Sequence, residues 1–389
     1  MVKINITPFK DFFSSKSAGG IILLVCVVIS LIIANTGAGK GFEDLLAMEL
    51  GREFGNVTLR YPVLLWINDG LMAIFFLLVG LEIKRELVEG ELSTAKQAAL
   101  PVFAALGGML VPALIFGLFN NNTPTSGGWG IPMATDIAFA IAILSLLGDR
   151  VPLALKIFLT ALAIVDDLGA ILVIAIFYSS EIHLDYLAYA GAVFALLLVM
   201  NRMKVMNYGF YLIPGLFMWY FIHHSGVHAT IAGVLTALTI PTTPDETESP
   251  LEKLEHALTR PVNFIIMPLF ALANTNIRFE SGMVDGLTSN MGLGIIFGLL
   301  LGKPIGIVIM SWVSVKTGLS TLPKNTLWIQ IAALGVIAGI GFTMSIFMAM
   351  LSYSQAELQT EAKFSILLAS VCAGVIGYTL LRVFFKRAK

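Results

Sequence analysis

Hydrophobic positions along this chain come in solid runs, not in alternation. Twelve such runs lie near residues 18–35, 62–82, 97–119, 129–147, 152–178, 183–200, 207–222, 225–241, 261–277, 289–314, 327–351 and 361–385. Crossing a bilayer takes about 20 apolar residues, and in lipid the backbone must satisfy its own polar groups, so each run predicts a helix. A membrane β-barrel would show short alternating segments instead. The first run, GGIILLVCVVISLIIA from Gly19, follows a polar, lysine-bearing start, and no small-residue cleavage site comes after it. It is expected to be a retained helix and not a signal peptide. The expected fold class is all-α: a polytopic membrane protein of twelve transmembrane helices, forming one integral membrane domain over residues 1–389.

Composition agrees with that solvent. Hydrophobic residues make up 57% of the 389 and charged residues 13%, against about 25% charge in soluble proteins. A net charge of −1 gives no electrostatic footprint for nucleic acid, so membrane lipid is the expected surrounding partner. Cys26 and Cys372 fall in apolar runs at opposite ends of the chain and fit neither a disulfide framework nor a metal spacing.

Positive charge sets the orientation. With the N-terminus in the cytoplasm, eighteen of the 24 Lys and Arg lie inside, from Lys3, Lys10 and Lys16 to Arg382, Lys386, Arg387 and Lys389. Only Lys40, Arg52, Arg60, Arg278 and Lys363 lie outside, which predicts that both termini are cytoplasmic. The remaining one, Lys303 in LLLGKPIGIVIM, sits in the middle of a span. In the outer loop, near 36–60, LGREFGNVTL carries strand-like residues around Gly55-Asn56, which suggests a β-hairpin. A lone hairpin is marginal in water, so it would pair with a second copy; an ordinary loop is the alternative.

The stretch LAIVDDLGAI places Asp166 and Asp167 deep in a span. Each ionised carboxylate there costs about 2.5–3.5 kcal/mol on the insertion scale. Proton uptake and cation binding both offset that cost, and a site that alternates between them is what cation/proton exchange requires. Neighbouring helix positions point about 100° apart, so one carboxylate can face a cavity while the other faces a helix. Two carboxylates this close titrate as a pair. Asp136, in GIPMATDIAFA, and Lys303 lie at similar depth. Buried ion pairs holding helices together are the structural alternative, but three carboxylates against one lysine leave a charge that a cation would balance.

Two spans carry helix breakers at their centres. Gly130 and Pro132 precede Thr135 and Asp136, and Gly335, Gly339 and Gly341 precede Thr343. Both spans are expected to be discontinuous, with unwound carbonyls and helix ends at the midplane. Each is the middle member of a three-span group, spans 3–5 and 10–12, which predicts inverted repeats whose broken helices cross. Facing half-helix N-termini favour an anion and facing C-termini a cation, so Asp136 suits the first and Lys303 the second. Close helix packing is the other use of such glycines.

Taken together, LLWINDGLMAIFFLLVGLEIKREL, IPMATDIAFA, LAIVDDLGAI, LGKPIGI and AGIGFTMSIF resemble the NhaA family of bacterial sodium/proton antiporters over nearly the whole chain. That family is itself a standard example of the broken-helix architecture. The resemblance implies a cofactor-free, non-enzymatic transporter of the bacterial inner membrane. It would exchange cytoplasmic Na⁺ or Li⁺ for external protons electrogenically, switch on at alkaline pH, and dimerise through the outer, periplasmic hairpin. Asp166 and Asp167 would bind the Na⁺ or Li⁺ ion and carry protons, Asp167 as the more direct ligand, with Thr135 beside them. Asp136 and Lys303 would compensate charge at the broken helices, and Lys303 would pair with Asp166 when the cation is absent.

The pH response is linked by resemblance to Glu82, Arg85, Glu86, Glu255 and His256 at the cytoplasmic mouth, and to His228 near the outer end of span eight. Ordinary solvated charge pairs are the alternative at the mouth. Asp69, in WINDG, matches a family position whose role here is open between structure and function. The chain departs from the family at Thr259, where a histidine is usual, so His256 loses a neighbour. His224 and His228 have i, i+4 spacing, but Ser225-Gly226 is expected to break the helix between them, which argues against a metal site.

Rival chemistries find little support. No HExxH, P-loop or nucleophile elbow is present, and VDDLGAI has no partner motif of the prenyltransferase kind. A sodium-coupled solute transporter would need more midplane polar groups than Lys303, and a channel would need a pore ring.

Overall fold

Apolar runs without water to bond become helices, and the chain is predominantly helical. The computed structural model describes residues 18–54, 57–179, 181–243, 248–280, 283–324 and 326–385. Lys3, Lys10, Lys16, Lys386, Arg387, Lys389 and the Gly55-Asn56 pair lie outside the described residues.

In chain order the helices are α1 (Ala18–Ala34), α2 (Gly39–Ala47), α3 (Val63–Val88), α4 (Ala95–Asn120), α5 (Ile137–Leu146), α6 (Leu153–Phe177) and α7 (Leu184–Arg202). They continue as α8 (Gly209–His224), α9 (Ile231–Thr239), α10 (Pro250–Asn274), α11 (Asn290–Lys316), α12 (Trp328–Ala338), α13 (Phe342–Ser352) and α14 (Ala356–Phe384). A short 3₁₀ segment, Ser126–Met133, precedes α5. Between α2 and α3, β1 (Glu49–Phe54) and β2 (Val57–Pro62) pair antiparallel with Glu49 opposite Pro62, so the strands of the expected hairpin are present.

Among the described residues, eight helical stretches are long and apolar enough to cross a membrane, or ten if two bent pairs each count as one span. Those pairs are α1 with α2, bent by 110°, and α12 with α13, bent by 52°. All twelve expected runs fall on helix, but α8 has 16 residues and α9 only 9. At 1.5 Å per residue these reach about 24 and 14 Å, short of a hydrocarbon core of about 30 Å. The chain leaves the helix between them, with Gly226 at φ +85°.

Among the described residues, two buried clusters hold the bundle together. The larger joins α1, α3–α6 and α10–α14 around residues such as Phe76, Leu159, Phe270, Leu299, Ile337 and Phe347. The smaller joins α7, α8 and α9 to the cytoplasm-predicted half of α3 and the start of α10, around Leu81, Leu197, Tyr211 and Leu251. Among the described residues, three long helices contain a π-turn: Trp66–Leu71, Val262–Ile266 and Gly298–Gly302. The last two adjoin Pro261 and Pro304, whose missing N–H groups release the regular ladder. The first turns Asn68 inward, where its amide and that of Asn274 bond each other at 2.7 and 3.3 Å.

Candidate functional site at the helix breaks

The two breaks arise locally from the sequence. Residues 134–136 are extended between the 3₁₀ segment containing Pro132 and the restart at Ile137. In the second span α12 stops at Ala338 and α13 begins at Phe342. Gly339 lies so close to α11 that a Cβ there would stand 2.4 Å from the Leu299 carbonyl oxygen.

The breaks touch. The Asp136 N–H donates to the Ile340 carbonyl at 2.7 Å, and the Thr135 hydroxyl lies 2.9 Å from the Ala338 carbonyl. Asp136 then caps two helices at once. Its Oδ1 accepts from the Phe139 N–H at 3.0 Å, while Oδ2 accepts from the Thr343 N–H at 3.2 Å and the Thr343 hydroxyl at 2.5 Å. One carboxylate thus answers the positive ends of α5 and α13.

On the other side lie chain ends of opposite polarity. Lys303 is fully buried; its Nζ donates to the Met133 carbonyl, at the end of the 3₁₀ segment, and to Asp166 Oδ2 at 2.5 Å. The Thr135 hydroxyl lies 2.7 Å from that same Oδ2. It has a single proton, so it cannot satisfy both Asp166 and Ala338. Asp166 Oδ1 and Asp167 Oδ1 are buried without a partner among the described residues.

The charges therefore sort unequally. Asp136 faces two helix N-termini and Asp166 faces Lys303. Asp167, 2% exposed, makes no ion pair among the described residues; the contact of Lys303 goes to its neighbour Asp166. The oxygens gathered here, from carboxylates, a hydroxyl and terminal carbonyls, suit a hard cation. No group of three or more His, Cys, Asp or Glu is placed to hold a metal among the described residues, so a cation here would draw on that mixed set.

Residues 10–381 match the family described as Na⁺/H⁺ antiporter 1. The chain belongs to that family. The protein named Na(+)/H(+) antiporter NhaA 2 of Flavobacterium johnsoniae is 66% identical over 384 residues, 98% of this chain and 94% of its own. The Na(+)/H(+) antiporter NhaA of Flavobacterium psychrophilum is 50% identical over 97% of this chain and 96% of its own, and that of Escherichia coli O139:H28 is 49% identical over 96% and 97%.

In this antiporter-family member, Arg85 joins two carboxylates: Nε lies 2.9 Å from Glu255 and an NH₂ group 3.2 Å from Glu86. Glu86 also accepts from the Glu91 N–H at 3.0 Å. Glu86 and Glu91 also line a cavity of about 780 Å³, with Glu89, Lys156 and Thr160, which reaches Ala161, five positions before Asp166. His256 is not drawn into the Arg85 cluster. Its ring is exposed and bonds Glu248 at 2.9 Å, while the Thr259 hydroxyl donates to the Glu255 carbonyl at 2.7 Å.

At the opposite end of α3, Asp69 lies 3.3 Å from His223 and 3.8 Å from His228. His224, which the expected break sets apart from His228, bonds the Tyr220 carbonyl at 3.0 Å and packs on Tyr186 and Tyr220. The interruption after α8 reorients the chain so that His223 is the histidine sharing Asp69 with His228. His228 also bonds the Thr230 hydroxyl at 2.9 Å and sets its ring edge-on against Phe347.

Proposed function

We propose that this chain is a sodium/proton antiporter of the bacterial inner membrane, also accepting Li⁺, in which Na⁺ and H⁺ compete for Asp166 and Asp167. The observation that carries this reading is the buried Asp167 carboxylate, whose Oδ1 has no partner among the described residues while Lys303 bonds its neighbour Asp166. Its charge at this depth must be met by a proton or a cation, while Asp166 is held by Lys303 until a cation takes that place. Thr135 would add a neutral oxygen, and Asp136 would hold the two half-helices at fixed distance.

Two carboxylates facing one monovalent ion allow more than one proton to return per cation, as electrogenic exchange requires. The twelve helices would include α8 and α9 as short spans, with the two breaks crossing at the midplane and both termini cytoplasmic. The Glu86-lined cavity would then be the cytoplasmic entrance. The Arg85 cluster and Glu82 would link its occupancy to pH, with activation on the alkaline side as carboxylates lose protons; His256, His228 and Asp69 would modulate this from the periphery. The β1–β2 hairpin would join two copies.

Everted membrane vesicles test the reading. Na⁺ or Li⁺ should collapse a preformed pH gradient with the intact protein and leave it untouched with Asp167→Asn. A folded, inserted wild-type protein that ignores both ions would overturn it.

A further inference from the structure

The outer half of the first broken span is pinned by side chains from other helices. Its sequence, SGGWGIPM over Ser126–Met133, is too rich in glycine and proline for a regular α-helix, and it winds as a 3₁₀ segment. Four carbonyls between Thr125 and Met133 accept from side chains elsewhere. The Tyr353 hydroxyl donates to Thr125 at 2.8 Å, Tyr178 to Gly127 at 2.8 Å, Ser345 to Ile131 at 2.7 Å, and Lys303 Nζ to Met133. The Tyr178 hydroxyl also accepts from the Gly130 N–H at 3.3 Å.

These bonds fall into two classes. Ser345 and Lys303 are fully buried, so their bonds are dry. Tyr178 and Tyr353 each stand one residue past the outer end of a helix, α6 and α13, and Gly127 is exposed. Water can replace a hydrogen bond at such a place, so the outer pair is released at small net cost. Glycines let the two rings in: a Cβ on Gly128 would stand 1.9 Å from Tyr353 Oη, and one on Gly130 would stand 2.8 Å from Tyr178 Oη and 2.6 Å from the Met348 methyl. Trp129 closes the remaining side, edge-on to Phe177 at 5.0 Å and stacked with Tyr178 at 6.5 Å. Behind the tyrosines, Ile131 and Met348 are 0% and 1% exposed. The approaches to the carboxylates therefore differ. The Glu86-lined cavity reaches Ala161 from the inner end, whereas aromatic and apolar side chains fill the outer approach, where Tyr178 lies eleven positions beyond Asp167, about 16 Å along the helix.

We propose that Tyr178 and Tyr353 are the outer gate of the ion path. With both hydroxyls bonded, the outer half-helix lies shut against α6 and α13; when both let go, it moves away and opens Asp166 and Asp167 to the outside. The dry bonds to Ser345 and Lys303, with the Asp136 cap, keep the break assembled while the outer end moves. The proposal rests on the antiporter reading, in which the site must face each side in turn.

Thiol accessibility tests it. Met348→Cys, in a chain also carrying Cys26→Ala and Cys372→Ala, puts a thiol directly behind the gate. A membrane-impermeant methanethiosulfonate is applied to right-side-out vesicles, and the labelling rate is read without any ion gradient. Tyr178→Phe and Tyr353→Phe keep the rings and remove only the hydroxyls; each should speed labelling about fivefold, the scale of one hydrogen bond, and the two together should speed it more than either alone. Leu159→Cys, equally buried in the inner half of α6, should stay unlabelled throughout. Labelling of Met348→Cys that no phenylalanine variant changes would overturn the proposal. So would an equal gain at Leu159→Cys, because the hydroxyls would then serve general packing. Faster labelling in a protein that shows no Na⁺-driven collapse of the pH gradient would uphold the gate and sink the sodium reading; the reverse would sink the gate alone.

Discussion

Lys303→Met strikes the buried pair on which the charge arrangement turns. Lys303 and Asp166 are respectively 0% and 1% exposed, and Nζ has two acceptors, Asp166 Oδ2 and the Met133 carbonyl. Removing one partner of a buried ion pair costs about 3–5 kcal/mol, because the other charge is left uncompensated. The orphaned carbonyl adds about 1–3 kcal/mol. Replacing both partners by apolar groups is far gentler, near neutral in comparable cases. Lys303→Met alone should therefore be the least heat-stable of a set of four, and Asp166→Leu combined with Lys303→Met should recover most of the loss. Heating each protein in detergent and following its monodisperse gel-filtration peak gives the ranking. The two single losses together should exceed the loss in the double variant by about 6 kcal/mol or more, since each single variant leaves one charge uncompensated and the double leaves none, and none of the three variants should exchange Na⁺. A single variant as stable as wild type, or a double variant worse than both singles, would refute the assigned role of the pair.

Three further outcomes follow from the geometry. Thr135→Val removes a hydroxyl worth about 0.5–1.5 kcal/mol, so the apparent Na⁺ affinity in a vesicle titration should fall by up to about tenfold with folding intact. Asp136→Ala uncaps α5 and α13 together at about 1 kcal/mol or more per cap, so it should lower thermal stability as well as activity; loss of activity alone would mean that Asp136 acts otherwise. Gly107→Ala should prevent normal folding, because its Cβ would stand 2.0 Å from the Gly306 carbonyl where α4 crosses α11; a well-expressed, monodisperse Gly107→Ala protein would contradict that packing.

Much of the candidate site was visible in the sequence because the bilayer makes polar residues conspicuous. Asp136, Asp166, Asp167 and Lys303 each interrupt an apolar run, and Gly–Pro and Gly–Gly spacing marked both breaks. The sequence left out contacts made by the backbone or across long separations. The carbonyls of Met133, Ala338 and Ile340 carry no residue signature, and Asn68 meets Asn274 across 206 positions. The break at Ser225-Gly226 was legible, but which histidine it would turn towards Asp69 was not, since His223 and His224 are adjacent in sequence. The short α9 and the π-turn at Trp66–Leu71 are likewise tertiary accommodations, whereas the other two π-turns have their prolines close by in sequence.

The most direct test of the account is ²²Na⁺ binding to the purified protein as a function of pH. If Na⁺ and protons compete for Asp166 and Asp167, apparent Na⁺ affinity should fall by about tenfold per pH unit for each proton displaced as the solution is acidified. It should also vanish in Asp167→Asn. Binding whose affinity is flat across pH, or that persists in the folded Asp167→Asn protein, would contradict the central claim.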